Sequence, residues 1–317
     1  MDISEFKRTD LEKQGYRIVG NHSAIKVCHW TKKSMKSIEL EDSCYKCKFY
    51  GIQTWRCVQM TPSVPYCSLR CEWCWRDIEF TSPKWDGKVD EPKDIVDGCI
   101  SAHIKYLQGF GGNDKVEVER FLASQEPLHF AISLSGEPTL YPKLPELIDE
   151  INSRGMTSFL VTNGTNPEMV ERLIERQPTQ FYMTLPAPNK DVFEKVCKPL
   201  VHNAWDRIIK TLDYVSKFKR SVLRLTLAKD VNLVDPQGYA ELILKGNPTF
   251  VECKAYVWVG YSRERLAMEN MPRHEEIVEF SNEMLKFLPG WKMIDAKENS
   301  RVVLLAKEDF DGRVMEF

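Results

Sequence analysis

No run of apolar residues in this 317-residue chain approaches the ~20 that a membrane-spanning helix needs. The opening stretch, MDISEFKRTDLEKQGY, has no apolar segment of the kind a secretory signal carries, so a cytoplasmic location is expected. An excess of either charge is also missing. Lys and Arg number 44 against 46 Asp and Glu, a formal net charge of −2. Binding to nucleic acid must then rest on a local basic patch rather than a global field. There is no internal repeat and no low-complexity linker. A secreted disulfide scaffold would be shorter than this and would carry a signal. In a cytosolic chain, clustered cysteines read as metal ligands or redox groups.

Ten cysteines are present, and seven crowd between residues 28 and 74: Cys28, Cys44, Cys47, Cys57, Cys67, Cys71 and Cys74. The other three, Cys99, Cys197 and Cys253, are scattered and read as small core residues.

The pattern along the chain predicts an α/β fold. Residues 1–27 read as a helical lead-in. Residues 28–60 are rich in Cys, Lys and aromatics without a clear period, as in a segment that a metal orders. WRCVQMTP, before the cysteine loop, reads as a first strand. PLHFAISLSGEP, MTSFLVTNGT, QFYMTL, VLRLTLA and TFVECKAYVWVG read as five more. Helical patterns alternate with them: one from Pro92 to Gly109, then KLPELIDEINSRG, 167–176, around 189–197, 204–218 and 236–245. Six strands alternating with helices predict a parallel βα barrel or an open α/β sheet, whose chemistry sits at the carboxyl ends of the strands. WKMID and VVLLAKED read as a late β addition.

Cys67, Cys71 and Cys74 lie in PYCSLRCEWCWR with spacing C-x3-C-x2-C and no fourth cysteine close behind. A structural zinc site would pair C-x2-4-C units and close a tetrahedron. Three thiolates on one loop fit better a 4Fe–4S cluster, which normally takes four and here keeps one iron open for a small molecule.

With Trp73 between its second and third cysteines, this loop resembles the signature of the radical S-adenosylmethionine superfamily. The resemblance implies a partial (β/α)6 barrel, an open iron that chelates S-adenosylmethionine, and reductive cleavage to a hydrogen-abstracting radical. It further implies that Ser135, Gly136 and Glu137 stand where the family carries a G-G-E-like turn for the methionine amine, with serine replacing the first glycine. Thr162, Asn163 and Gly164 fall where the adenosyl moiety is contacted, and Arg224 and Asn232 follow the fifth strand as cofactor candidates. The plain alternatives are an ordinary strand-to-helix turn at Gly136 and a structural salt bridge at Arg224.

KVCHWTKKSMKSIELEDSCYKCKFYGIQTWRCVQMTP, together with CEWCWR and SLSGEPTLYP, resembles the archaeal tRNA 4-demethylwyosine synthases over nearly the whole chain. That resemblance implies a second 4Fe–4S cluster on Cys28, Cys44 and Cys57. It also implies condensation of N1-methylguanosine at position 37 of tRNA(Phe) with pyruvate, and electrons from an external one-electron donor. The implied segments are an N-terminal extension (1–60) with the auxiliary ligands, a barrel (61–265), and a C-terminal helix and strands packed on it (266–317). A monomer with no membrane contact is expected. Spacing alone leaves Cys47 open as a fourth ligand, and the Cys44/Cys47 pair would also suit zinc or a redox dithiol. The family block needs only the other three.

Lysines surround this block at 26, 32, 33, 36, 46 and 48. A solvated face is their usual fate. Lys46 lies between two potential ligands, and the resemblance implies a lysine here that forms an imine with pyruvate, Lys48 being the alternative. Phosphate contacts by the remaining lysines and base stacking by Trp30, Tyr45, Phe49, Tyr50 and Trp55 are further expectations, as are basic contacts from KFKR (217–220) and GYSRERL (260–266). Two other functions compete: a different radical enzyme of the superfamily, such as a tRNA methylthiotransferase or glycyl-radical activase, and a zinc-stabilised, non-enzymatic RNA-binding protein.

Overall fold

The computed structural model describes residues 3–317; Met1 and Asp2, at the start of the expected helical lead-in, lie outside the described residues. The lead-in is helical only over α1 (Glu5–Lys13), after which Gly15 adopts φ +90°. RIV and SAI then form a hairpin, β1 (Arg17–Val19) and β2 (Ser23–Ile25), turning at Gly20 with φ +59°. The aperiodic block contains two short helices, α2 (His29–Ser34) and α3 (Tyr45–Tyr50), each with a cysteine, Cys28 or Cys44, at its N-cap.

The barrel follows as expected. Strand β3 (Cys57–Thr61) precedes the cysteine loop and helices α4 (Pro92–Leu107) and α5 (Val118–Ser124). Then come β4 (His129–Ile132), α6 (Leu144–Ser153), β5 (Thr157–Thr162), α7 (Pro167–Arg172) and β6 (Gln180–Thr184). Helices α8 (Lys190–Cys197) and α9 (Ala204–Val215), β7 (Ser221–Leu227), α10 (Pro236–Gly246) and β8 (Phe250–Ala255) complete it. After helix α11 (His274–Leu285), β9 (Lys292–Lys297) and β10 (Val302–Ala306) close the chain's secondary structure.

All ten strands form one sheet in the order β1-β2-β3-β4-β5-β6-β7-β8-β10-β9. Strands β3 to β8 pair in parallel, and the hairpins at both edges pair antiparallel. This is a six-stranded partial barrel extended at each side. Side chains alternate along every strand. Val58, Met60, Phe130, Ile132, Leu160, Phe181, Met183, Leu223, Leu225 and Val251 pack outward under the helices. Helix α6 meets them with Leu144, Leu147, Ile148 and Ile151, one helical face, and Pro145 stands in its first turn. Each such fully buried side chain contributes roughly 1.5–3 kcal/mol.

The inward positions carry the function. Phe159, Val161, Tyr182, Val222 and Phe250 meet Tyr45, Phe49 and Tyr50 of α3, which therefore sits inside the barrel at the end where the strands begin. The N-terminal block is thus built into the barrel. Among the described residues no helix is long and apolar enough to cross a membrane.

Candidate active site

At the carboxyl ends of the strands, Cys67, Cys71, Trp73 and Cys74 line a cavity of about 220 Å³ together with Ser135, Gly136, Glu137, Thr162, Asn163 and Arg224. The cysteine loop is held from behind by α8. The amides of Arg70 and Glu72 donate to the carbonyls of Cys197 and Val196, both at 2.9 Å. From the other side, Arg265 donates to the carbonyls of Glu72, at 3.1 Å, and Cys74. Burial pushes the Cys67 thiol up to about 12. Contact with the Cys197 thiol, then burial, pushes Cys71 well above its ordinary range. Thiols in such surroundings stay neutral unless a bound metal compensates the thiolate charge.

The turn after β4 explains its own glycine. Gly136 has φ +70°, and a Cβ there would stand 1.9 Å from the Ser63 carbonyl oxygen. Glu137 is buried, and its carboxylate accepts from Thr139 N at 3.1 Å, Thr139 Oγ1 and Thr162 Oγ1 at 2.6 Å, and Asn163 N at 2.7 Å. It thereby ties the β4 turn to the β5 turn. Asn163 in turn donates to Ser68 Oγ at 2.9 Å, beside Cys67. Gly164 and Asn232 lie outside the cavity lining. Gly164, with φ +78°, lets the turn pass over Met183. Asn232 is fully buried and holds three backbone groups: its Nδ2 donates to Pro186 O and Thr226 O, and its Oδ1 accepts from Ala228 N. It shapes the loops and does not face the cavity.

The floor of the lumen is the N-terminal block. Cys44 and Cys57 each feel the charges of Cys28 and Lys46, and burial pushes the Cys44 thiol up to about 11 and Cys57 higher still. Thr54 joins the segments: its carbonyl accepts from Thr31 Oγ1, and its hydroxyl accepts from Cys44 N, both at 3.2 Å. Thr31 N donates to Cys28 Sγ at 3.3 Å. Cys47 shares Thr54 with that trio, but its charged neighbours are Arg120 and Lys297 and not Lys46.

Lys46 points into the barrel, its Nζ 4.4 Å from the centre of the Tyr182 ring and 5.1 Å from that of Phe159. Burial pushes its pKa down, although the residue is not fully enclosed. Among the described residues its amine has no salt bridge, and Glu252 and Arg224 are its charged neighbours. Lys48, on another face of α3, is committed to the C-terminal hairpin through Ala296 O at 2.6 Å and Asp295 at 3.0 Å.

Among the described residues, no three Cys, His, Asp or Glu side chains converge closely enough to hold a single metal ion. The donor sets fit clusters, which take each thiolate at a separate iron. Three thiols line one cavity, and of a second trio Cys44 and Cys57 lie beside Lys46 while Cys28 lies next to both of them.

Sequence reasoning missed several residues here. Glu252 on β8 is fully buried and accepts from Tyr45 Oη at 2.9 Å and Tyr50 Oη at 2.8 Å, which fixes α3 and with it Lys46. Lys254 donates to Ser300 O at 2.8 Å, and burial lowers its pKa to about 8. The available signal was FVECKA, an apolar strand with charges at alternate positions. Cys197, read only as core, lies against Cys71. The expected base-stacking role is corrected for Tyr45, Phe49 and Tyr50, which are core residues. Trp55 is covered by Arg120. Lys32 and Lys33 bond Tyr106 and Asp42. KFKR lies where β7 begins, and its Arg220 holds the carbonyls of Gly312 and Arg313.

Residues 61–243 match the family described as the radical SAM superfamily, and residues 245–307 match the one described as wyosine base formation. The S-adenosyl-L-methionine-dependent tRNA 4-demethylwyosine synthase of Pyrococcus abyssi is 46% identical over 305 residues, covering 95% of this chain and 88% of that protein. The protein of that name from Methanocaldococcus jannaschii is 40% identical over 310 residues, covering 94% and 95%. The solved structure of TYW1 with a lysine–pyruvate adduct bound aligns at a TM-score of 0.88 and 37% identity, covering 99% of both chains. An archaeal TYW1 crystal structure gives 0.78 and 35%, covering 96% of both. With this identity along nearly its full length, and with the cysteine loop on a partial βα barrel, the chain belongs to the tRNA 4-demethylwyosine synthase family of the radical S-adenosylmethionine superfamily.

Proposed function

We propose that this chain builds the tricyclic 4-demethylwyosine base in tRNA, joining N1-methylguanosine at position 37 of tRNA(Phe) to two carbons of pyruvate, whose carboxyl carbon is released as its bond to the carbonyl carbon breaks. The observation that carries this reading is Arg224, which lines the cavity of Cys67, Cys71 and Cys74 and is also a charged neighbour of Lys46, beside which Cys44 and Cys57 lie with Cys28 next to both.

Cys67, Cys71 and Cys74 would hold one 4Fe–4S cluster, and Cys28, Cys44 and Cys57 a second. Bound clusters and S-adenosylmethionine supply an electron and a hydrogen-abstracting radical. The chain's residues do the rest. Gly136 lets the turn approach the cavity, Trp73, Ser135, Thr162 and Asn163 line it, and Glu137 holds the two turns in register. The neutral amine of Lys46 attacks the carbonyl carbon of pyruvate, and water leaves as the C=N bond forms. The lysine–pyruvate adduct named for the related TYW1 supports this role. Transfer of that carbon to the guanine amine then returns the lysine amine.

Anaerobic incubation with tRNA containing N1-methylguanosine, S-adenosylmethionine, reductant and pyruvate, followed by nucleoside analysis, tests the reading. A tricyclic nucleoside that requires every component is expected. Cleavage of S-adenosylmethionine without one, in the presence of all components, would point to another radical reaction.

The different charged neighbours of Cys47 give a further expectation. Cys47→Ala should retain the iron of both clusters, about eight per chain. Cys44→Ala should lose about half of it. Iron analysis of the two reconstituted variants decides, and the reverse pattern would exchange the two cysteines' roles.

A further inference from the structure

Arg76, two residues beyond Cys74, is only 6% exposed and lines the cavity of the cysteine loop. Its guanidinium lies beside the Cys67 and Cys74 thiols. Nη1 donates to the Phe80 carbonyl at 3.3 Å, whereas Nη2 is buried and, among the described residues, has no hydrogen bond of ordinary geometry. The neighbouring carboxylate, Asp77, is taken by Lys7 at 2.8 Å. A buried cation without an anionic partner costs several kcal/mol, so an anion on the cavity side is needed to offset it. A guanidinium offers five donors and is never deprotonated in proteins, and here Nη2 has no oxygen acceptor, with the Cys74 thiol beside the group.

We propose that Arg76 is a positioning residue for the cluster held by Cys67, Cys71 and Cys74, donating through Nη2 to its sulfur edge and stabilising its reduced form. This rests on the cluster assignment made above. When the cluster takes one electron from a low-potential one-electron donor, its net charge falls by one with no bond broken. A fixed positive charge in a water-poor site favours that state, and hydrogen bonds to the sulfurs act in the same direction. The arginine thus makes the electron transfer preceding cleavage of S-adenosylmethionine less uphill.

The test is redox titration of the anaerobically reconstituted full-length protein, followed by electron paramagnetic resonance. The signal that changes on adding S-adenosylmethionine identifies the relevant cluster. Arg76→Met should shift its one-electron equilibrium at least tenfold towards the oxidised form, about 59 mV to more negative potential. Arg76→Lys, which keeps the charge, should shift it less, and both variants should retain wild-type iron. An unchanged potential in Arg76→Met with weakened binding of S-adenosylmethionine would overturn the proposal and make Arg76 a ligand of that molecule. Equal loss of iron in both variants would overturn it too, leaving a purely structural role. If wild-type protein forms no reducible cluster at all, the cluster assignment itself fails, and that outcome is distinguishable from the other two.

Discussion

Lys46→Arg should cleave S-adenosylmethionine at the wild-type rate when tRNA and pyruvate are omitted, yet make 4-demethylwyosine on the order of 10³-fold more slowly or not at all. That is the scale on which loss of one chemical partner is felt. The substitution is mild for the fold. Lys46 already places a cation over Tyr182 and Phe159, and arginine stacks on such rings as readily. Tyr45 and Tyr50 still hold α3 to Glu252. What arginine cannot do is present a neutral amine, because it stays protonated in proteins. Borohydride reduction in the presence of labelled pyruvate, followed by peptide mapping, should label Lys46 in the wild type and nothing in the variant. Two other lysines are the alternatives. Lys48 is committed to Asp295 and the Ala296 carbonyl, and Lys254 donates to the Ser300 carbonyl. Label on either would move the role to it, and full product formation by Lys46→Arg would take Lys46 out of the mechanism.

The barrel was legible because its strands announce themselves twice. Each outward row is Val, Ile, Leu, Phe or Met, and most of the intervening helices begin near a proline: Pro92, Pro145, Pro167, Pro236. The hairpin β1–β2 was not legible. Its strands are three residues each, too short for a period, and what fixes them is non-local: Ala24 pairs with Thr61, and Asn21 N donates to Asp90 at 2.7 Å. Helix α3 was hidden for a related reason. Its six residues are ordered by burial of Tyr45, Phe49 and Tyr50 among strands far along the chain.

The candidate site divides in the same way. Cysteine spacing on a single loop is local, so Cys67, Cys71 and Cys74 could be picked out from a dozen residues. Cys28, Cys44 and Cys57 needed the family resemblance, because their convergence depends on Thr54 and on α3 entering the barrel. The charges beside Lys46, Glu252 and Arg224, sit in apolar strands, and only strand alternation combined with the pairing of β7 and β8 reveals that they face each other and Lys46. Asn232 follows a strand end, where ligand contacts are common, and its amide is engaged by three backbone groups.

Replacing Cys67, Cys71 and Cys74 together by alanine should abolish formation of 5′-deoxyadenosine while leaving about half of the iron in place. The three thiols line one cavity, and each is partly exposed to it. A cluster held by three protein thiolates has none in reserve, so a single Cys67→Ala, Cys71→Ala or Cys74→Ala should be nearly as damaging as the triple change. The trio at the barrel floor is tied to α2, α3 and β3 and not to this loop, so its iron should survive. Cys197 supplies the control. It is the one further thiol in contact with the loop among the described residues, touching Cys71, but it lies in the apolar layer at the end of α8 and does not line the cavity. Cys197→Ala should therefore keep both the iron and the cleavage activity. If Cys197→Ala lost the cluster as completely as Cys71→Ala does, the site would be closed by four thiolates and could not leave an iron open for S-adenosylmethionine. Ordinary amounts of 5′-deoxyadenosine from the triple variant would remove the loop from the chemistry entirely. Chromatographic assay of 5′-deoxyadenosine, paired with iron analysis of the same samples, separates these outcomes, because loss of the cluster and loss of the fold differ in whether the second cluster's iron remains.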